Sequence, residues 1–285
     1  MIIIADSGAT KTDWLVSFNN QIKIIRTEGI NPVNQTYSRI EQTITQELMS
    51  QLTEPTDVCK AVHFYGAGCL PTHIKGIHQI LSETFSKADI HIETDLLGAA
   101  RALCGHSKGI ACILGTGANS CLYDGNGIEK NISPLGYILG DEGSGAYLGK
   151  RFLGDCFKEQ LPSFLRDGLL EEFKLTYSEI INKVYKEPQA NRFLASLTPY
   201  IYKQKEVPAV HTFLIDCFET FFRRNVLPYH SDLPVSFTGS ISWYFKEEVT
   251  EAATNLGLRT GIFLKNPIEG MAVYHGIQDN NKPLA

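Results

Sequence analysis

Two α/β domains are expected from this chain of 285 residues, and three features set that expectation. The length suits two domains of moderate size. Short apolar runs alternate with amphipathic helical stretches through the first half. Two glycine-rich turns, Asp6-Ser7-Gly8-Ala9-Thr10-Lys11-Thr12-Asp13 and Gly115-Thr116-Gly117-Ala118-Asn119-Ser120, each lie between two strands, one near the start of each half.

The first half reads β-β-β-α-β-α-β-α. Ile2–Ala5, Trp14–Phe18 and Gln21–Thr27 are strands, punctuated by Asp6-Ser7-Gly8 and Asn19-Asn20. A helix is predicted over about Thr36–Leu52, and a strand over Lys60–Tyr65 that closes on Gly66-Ala67-Gly68. Pro71 then opens a helix with Ile74, Ile77, Ile80, Leu81 and Phe85 at helical spacing. Strand Ile90–Thr94 leads through Asp95 into the helix Leu96–Cys104.

The pattern restarts at Gly109. Ile110–Leu114 and Ser120–Tyr123 are strands around the second glycine turn, and Asp124-Gly125-Asn126-Gly127 makes another turn. Helices are predicted at about Gly145–Glu159, Leu169–Tyr185 and Val210–Leu227, strands at Val235–Thr238 and Thr260–Leu264, and a closing helix at Glu269–Gln278. No low-complexity linker separates the halves, so a tight hinge near Ser107–Gly109 is expected. The shared turns suggest duplication. Phe213, Phe218, Phe221 and Phe222 have core-facing spacing, and Trp14 and Trp243 are read as packing residues.

Composition narrows the function. A hydrophobic content of 43% with 20% charged residues allows a substantial core. The net charge of -5, with no basic run longer than a pair such as Arg223-Arg224, argues against nucleic acid or an anionic membrane surface as partner. Met1–Ala5 lacks the basic region of a signal peptide and is far too short for its apolar region, and no stretch has membrane-spanning length. The seven cysteines form no C-x-x-C pair, so reduced thiols in a cytoplasmic protein are expected.

Glycine lets a backbone turn tightly enough for successive N–H groups to point at a phosphate. In the first turn Gly8, Thr10, Lys11 and Thr12 are candidates for phosphate binding, and Asp6 at the strand end can hold Mg²⁺ through water. Gly115, Thr116 and Gly117 are the candidates in the second. Either turn alone could be a polar hairpin; the pair suggests loops that grip a nucleotide tail. Neither fits G-x-x-x-x-G-K-[ST] or a dinucleotide fingerprint.

Together these residues resemble the two phosphate loops of the actin/hexokinase/Hsp70-like ATPases, and Thr238-Gly239-Ser240 is similar to their adenosine segment. Gly140-Asp141-Glu142-Gly143-Ser144-Gly145 and the Thr94-Asp95 junction resemble the N-acetylglucosamine kinases, and are shared in part with the ATPases that activate 2-hydroxyacyl-CoA dehydratases. The resemblance spans nearly the whole chain. It implies two ribonuclease H-like (actin-like ATPase) domains with mixed five-stranded sheets, residues 1–108 plus a closing helix at 269–285, and residues 109–268, with ATP and Mg²⁺ in a cleft between them.

Under the resemblance Asp95 is the catalytic base, a carboxylate that orients a sugar hydroxyl and takes its proton late in phosphoryl transfer. By position alone Asp95 also reads as a helix N-cap. Asn31, Gly66, Leu135, Gly136 and Asp141 match sugar-binding positions, and Gly239 and Ser240 adenosine-binding ones. Asn31-Pro32 could equally start a turn, and Asp141 and Glu142 could cap the helix after them, with Glu142 read as structural. Ser133-Pro134-Leu135-Gly136 stands where the animal enzymes carry a Gly-Gly-Trp-Gly type segment. The implied activity is ATP-dependent phosphorylation of an amino sugar, N-acetylglucosamine to its 6-phosphate, by a cytoplasmic enzyme for which a homodimer is allowed. The alternatives are a dehydratase-activator ATPase, which would need cluster-ligating cysteines, and a non-catalytic sugar or nucleotide sensor.

Overall fold

The computed structural model describes residues 1–8 and 10–277, which fall into two compact units. The first comprises Met1–Ser107, Gly125–Gly127 and the segment from Asn266; the second comprises Lys108–Asp124 and Ile128–Lys265.

The sheet of the first unit contains β1 (Ile2–Ser7), β2 (Lys11–Phe18), β3 (Gln21–Glu28), β4 (Ala61–Gly66) and β5 (Asp89–Thr94), in the order β3-β2-β1-β4-β5. β1 pairs antiparallel with β2 and parallel with β4. Ile3, Ile4 and Ala5 are all fully buried, because β1 is covered on both faces and reads as a continuous apolar run. Ile3 and Ala5 join Trp14, Phe64, Ile40 and Ile77 on the side of α1 (Tyr37–Gln42) and α2 (Ile74–Thr84). Ile4 joins Leu15, Tyr65 and Met271 on the side of α3 (Asp95–Cys104) and the last helix.

The second sheet contains β6 (Gly109–Leu114), β7 (Ala118–Tyr123), β8 (Ile128–Ile132), β9 (Val235–Thr238) and β10 (Thr260–Leu264), in the order β10-β9-β6-β7-β8. Read from its other edge this is the first sheet again: two antiparallel neighbours on one side of the leading strand and two parallel ones on the other. Both units are ribonuclease H-like, as in the actin-like ATPases. The helices of the second unit are α4 (Gly136–Leu139), α5 (Gly145–Phe157), α6 (Ser163–Phe173), α7 (Tyr177–Tyr185), α8 (Ala190–Ser196), α9 (Thr198–Lys203), α10 (Pro208–Asn225), α11 (Ser240–Tyr244) and α12 (Lys246–Asn255); α13 (Ile268–Tyr274) belongs to the first. The four phenylalanines of α10 are buried in the core of the second unit.

Several expectations are corrected. The single helix over Leu169–Tyr185 is two, because Lys174 takes a left-handed conformation and Thr176 forms a capping box with Glu179. The stretch from Thr36 is α-helical to Gln42 and then a π-helix over Thr43–Leu48. The helix assigned to Pro71 begins at Ile74. Trp243 is 43% exposed and is no core residue, whereas Trp14 is fully buried. β8 was not anticipated; it buries none of its residues and so carries no apolar alternation. The closing helix ends at Tyr274, and Gln278 lies outside the described residues. Among the described residues no helix is long and apolar enough to cross a membrane.

Candidate functional site

In the first unit the candidate residues collect at one sheet edge because three strand ends are in register. Ser7 pairs with Gly66, and Gly66 with Thr94. The turn after β1, the Gly66-Ala67-Gly68 turn after β4 and the start of α3 therefore leave the sheet together, at the carboxyl ends of its parallel strands, where open α/β sheets place ligands.

The first glycine turn is a hairpin closed by the Gly8 N–H, which donates to the Lys11 carbonyl at 3.0 Å. Thr10 is exposed beside it. Thr12 is fully buried, its hydroxyl 2.6 Å from Ser7 Oγ and donating to the Glu28 carbonyl at 3.1 Å. Its side chain thus shapes the turn from beneath. Lys11 is ion-paired with Asp13, which also accepts from Arg26 Nε at 2.7 Å. Burial pushes Asp13 up, but the hydrogen bonds and charges of Lys11 and Arg26 prevail and hold it below the usual carboxylate range.

Asp6 and Asp95 have the opposite balance. Burial, then the Asp95 and Asp13 carboxylates, push Asp6 up to about 7, with Lys11 opposing. Burial pushes Asp95 up to about 6 against the lowering effect of backbone N–H groups. Asp95 is not the N-cap of α3. Thr94 is, accepting the Leu97 N–H at 3.2 Å, while Asp95 Oδ1 accepts the Leu96 N–H at 2.9 Å from the first helical position. The Thr-Asp order before an apolar helix was the available signal for this division. Acidic groups crowded at one edge suit a divalent cation, which would favour their charged forms. Among the described residues no group of three or more His, Cys, Asp or Glu side chains is placed to hold a metal ion.

The Asn31 loop is pinned to the same edge. Ser7 Oγ donates to the Ile30 carbonyl at 3.0 Å and accepts the Ile30 N–H at 2.9 Å. Asn31 Oδ1 accepts the Val33 N–H at 3.0 Å, an Asx turn that fixes the side chain. Gly68 packs directly on it: at φ +76° the backbone is left-handed, and a Cβ would lie 2.4 Å from Asn31 Oδ1. Gly66 and Asn31, two candidate sugar contacts, thus belong to one packed assembly.

In the second unit the turn Gly115–Gly117 joins β6 to β7, with the Gly115 N–H donating to the Gly117 carbonyl at 2.9 Å. The first N–H groups of α5 serve this turn: Gly145 donates to Gly115 at 2.8 Å and Ala146 to Thr116 at 3.1 Å. The positive end of a helix of 13 residues therefore underlies the turn.

Asp141 lies on the same turn, accepting the Ala118 N–H at 3.3 Å, and a Cβ on Gly117 would sit 3.1 Å from its Oδ2. Burial pushes it up to about 6; the Ala118 N–H and Lys150 lower it and Glu142 raises it. Around Asp141 the other residues of its motif have structural duties. Glu142 is buried and pairs with Arg224 Nε at 2.6 Å and with Asn225 Nδ2 at 3.2 Å. Gly143 lies against Phe221, and Ser144 caps α5 by accepting the Tyr147 N–H at 3.1 Å.

Leu135 and Gly136 open the short α4, tied to Asp141 by its N–H, which donates to the Pro134 carbonyl at 2.9 Å. Gly239 joins the assembly from β9: its φ of +112° and a virtual Cβ 2.3 Å from the Leu114 carbonyl leave no room for a side chain. Ser240 begins α11 directly after it. The candidates of the second unit thus converge on the end of β6.

No protein-family model matches the chain. Among solved structures, a candidate N-acetylglucosamine kinase from Porphyromonas gingivalis is 44% identical with a TM-score of 0.94, covering 99% of each chain. One from Chromobacterium violaceum is 20% identical with a TM-score of 0.68, covering 96% of this chain and 98% of that one; at that identity the likeness concerns the fold. In sequence, the N-acetylmuramic acid/N-acetylglucosamine kinase of Clostridium acetobutylicum is 25% identical over 208 residues, 69% of this chain and 68% of its own length.

Proposed function

This chain belongs to the N-acetylglucosamine kinase family, and from that premise we propose that it transfers the γ-phosphoryl group of ATP to an amino sugar, N-acetylglucosamine at its 6-hydroxyl. The observation that carries the reading is Asp95: a carboxylate with raised proton affinity at the strand edge, beside the first glycine turn, relieved of capping by Thr94.

In this reading the sugar hydroxyl oxygen forms a bond to the γ-phosphorus as the bond to the β,γ-bridging oxygen breaks. ADP leaves, and the hydroxyl proton passes to Asp95. Asn31 and the turn at Gly66 orient the sugar in the first unit; Asp141, Leu135 and Gly136 do so in the second. Gly8, Thr10 and Lys11 bind phosphate at the first turn, where Thr12 acts through the shape of the hairpin. Gly115, Thr116 and Gly117 bind it at the second, supported by the α5 dipole, while Gly239 and Ser240 admit adenosine. Asp6 would hold Mg²⁺ through water, and the ion would neutralise phosphate charge. A cytoplasmic location, expected from seven cysteines without any C-x-x-C pair, belongs to the same reading.

The family assignment favours a kinase over the dehydratase-activator and sensor alternatives. Incubation with ATP, Mg²⁺ and a panel of amino sugars, hexoses and anhydro-sugars, followed by ADP release, tests the proposal. N-acetylglucosamine is expected to give the highest kcat/KM. ADP release independent of every sugar would overturn the reading.

A further inference from the structure

Helix α4 is anchored lightly. Its Tyr137 side chain packs against the core, but Leu135, Ile138 and Leu139 are more than half exposed. The Tyr137 carbonyl, in the middle of a four-residue helix, accepts a hydrogen bond from Lys150 Nζ at 2.8 Å. Lys150 projects from α5, the helix whose N-terminus supports the second glycine turn, and its ammonium lies 5.5 Å from the Tyr147 ring centroid.

We propose that Lys150 is a positioning residue for the sugar: its ammonium fastens the Leu135–Gly136 segment to α5. The proposal rests on the reading that this segment and Asp141 bind sugar. Burial is what most raises the proton affinity of Asp141; the Ala118 N–H lowers it, Glu142 raises it, and the Lys150 charge adds a smaller lowering effect. A hydrogen bond from a charged group to a backbone carbonyl is among the stronger single contacts. Methionine has similar bulk but neither the hydrogen bond nor the charge.

Two arms test this on the full chain. In hydrogen exchange, Lys150→Met should speed amide exchange across 134–140 about tenfold, while exchange in the second sheet stays as in wild type; Lys150→Arg should restore much of the protection. Unchanged exchange in Lys150→Met overturns the latch, whether or not the protein phosphorylates sugar. In kinetics, Lys150→Met should raise sugar KM on the order of tenfold with ATP KM little changed. Equal rises in both KM values overturn the role toward sugar. A wild-type enzyme inactive on every sugar would instead strike the function proposed above and leave the exchange result to decide the latch.

Discussion

Thr94 caps the helix that Asp95 begins. Because the threonine hydroxyl accepts the Leu97 N–H while the aspartate carboxylate accepts the adjoining Leu96 N–H, the cap does not rest on the carboxylate, and in the proposed reaction helix stability and proton transfer would fall to different side chains.

Asp95→Asn should therefore leave the melting temperature of the free protein equal or higher. Burial raises the proton affinity of Asp95, so its charge opposes folding at neutral pH, and the neutral amide removes up to about 3 kcal/mol of that cost. Steady-state kcat should fall on the order of 10²–10⁴. Paired melting and kinetic measurements check this; near-native kcat would remove Asp95 from the reaction.

Activity should fall with acid. With Asp95 pushed up to about 6, log kcat/KM should be flat above that pH and approach unit slope below it, since the protonated group cannot accept the hydroxyl proton. The residual activity of Asp95→Asn should lack this limb. A wild-type profile with no break between pH 5 and about 7 would speak against the assignment.

Stability should show a separate histidine contribution. His63 stacks on His275 at 3.8 Å and on His91 at 4.9 Å. Burial, then neighbouring positive charge, pushes His63 and His275 down to about 4. The unfolded chain binds these protons near 6.5, so between pH 6.5 and 4 it holds more protons than the native state, and stability drops as pH falls through that window. The raised carboxylates act in the opposite sense, so the comparison needed is with His63→Phe, which retains an aromatic ring. Its acid-side loss in denaturant titrations should be smaller than wild type by about 1–2 kcal/mol; equal losses would contradict the stack's role.

Gly117→Val should weaken ATP binding about tenfold or more, because the new Cβ meets Asp141 Oδ2 at 3.1 Å and the branched side chain crowds the turn. Calorimetric titration with Mg²⁺·ATP reads this directly, and unchanged affinity would exclude the second turn from phosphate binding.

Asp141→Ala should raise sugar KM about 10- to 100-fold, the loss of a charged hydrogen-bond acceptor, and move ATP KM by far less. If ATP KM alone moved, the contact of Asp141 with Ala118 would be its main duty and the sugar would lie elsewhere.

Much of this was legible because it is local. The apolar run at Ile2–Ala5 and the glycine turns that follow β1 and β6 are features of adjacent residues, and they defined the leading hairpin of each unit. What escaped depends on residues far apart in sequence. Lys11 and Asp13 share a strand face, as period-two spacing allows, but Arg26 reaches Asp13 only through the pairing of β2 with β3. Thr12 was read as a ligand donor because its burial is decided by Ser7 and Glu28. The break between α6 and α7 lay in a capping box inside a continuous helical pattern.

The run Gly140–Gly145 has a consequence for redesign. Glu142, Gly143, Ser144 and Gly145 each hold a neighbouring element in place: α10 through Asn225 and Phe221, α5 through its cap, and the glycine turn through a backbone bond. A library randomised across this stretch would return mostly unfolded proteins. The exposed side chains of Leu135, Ile138 and Leu139 carry little of that burden. Attempts to retarget the enzyme to another sugar should begin there, where sequence can change while the scaffold endures.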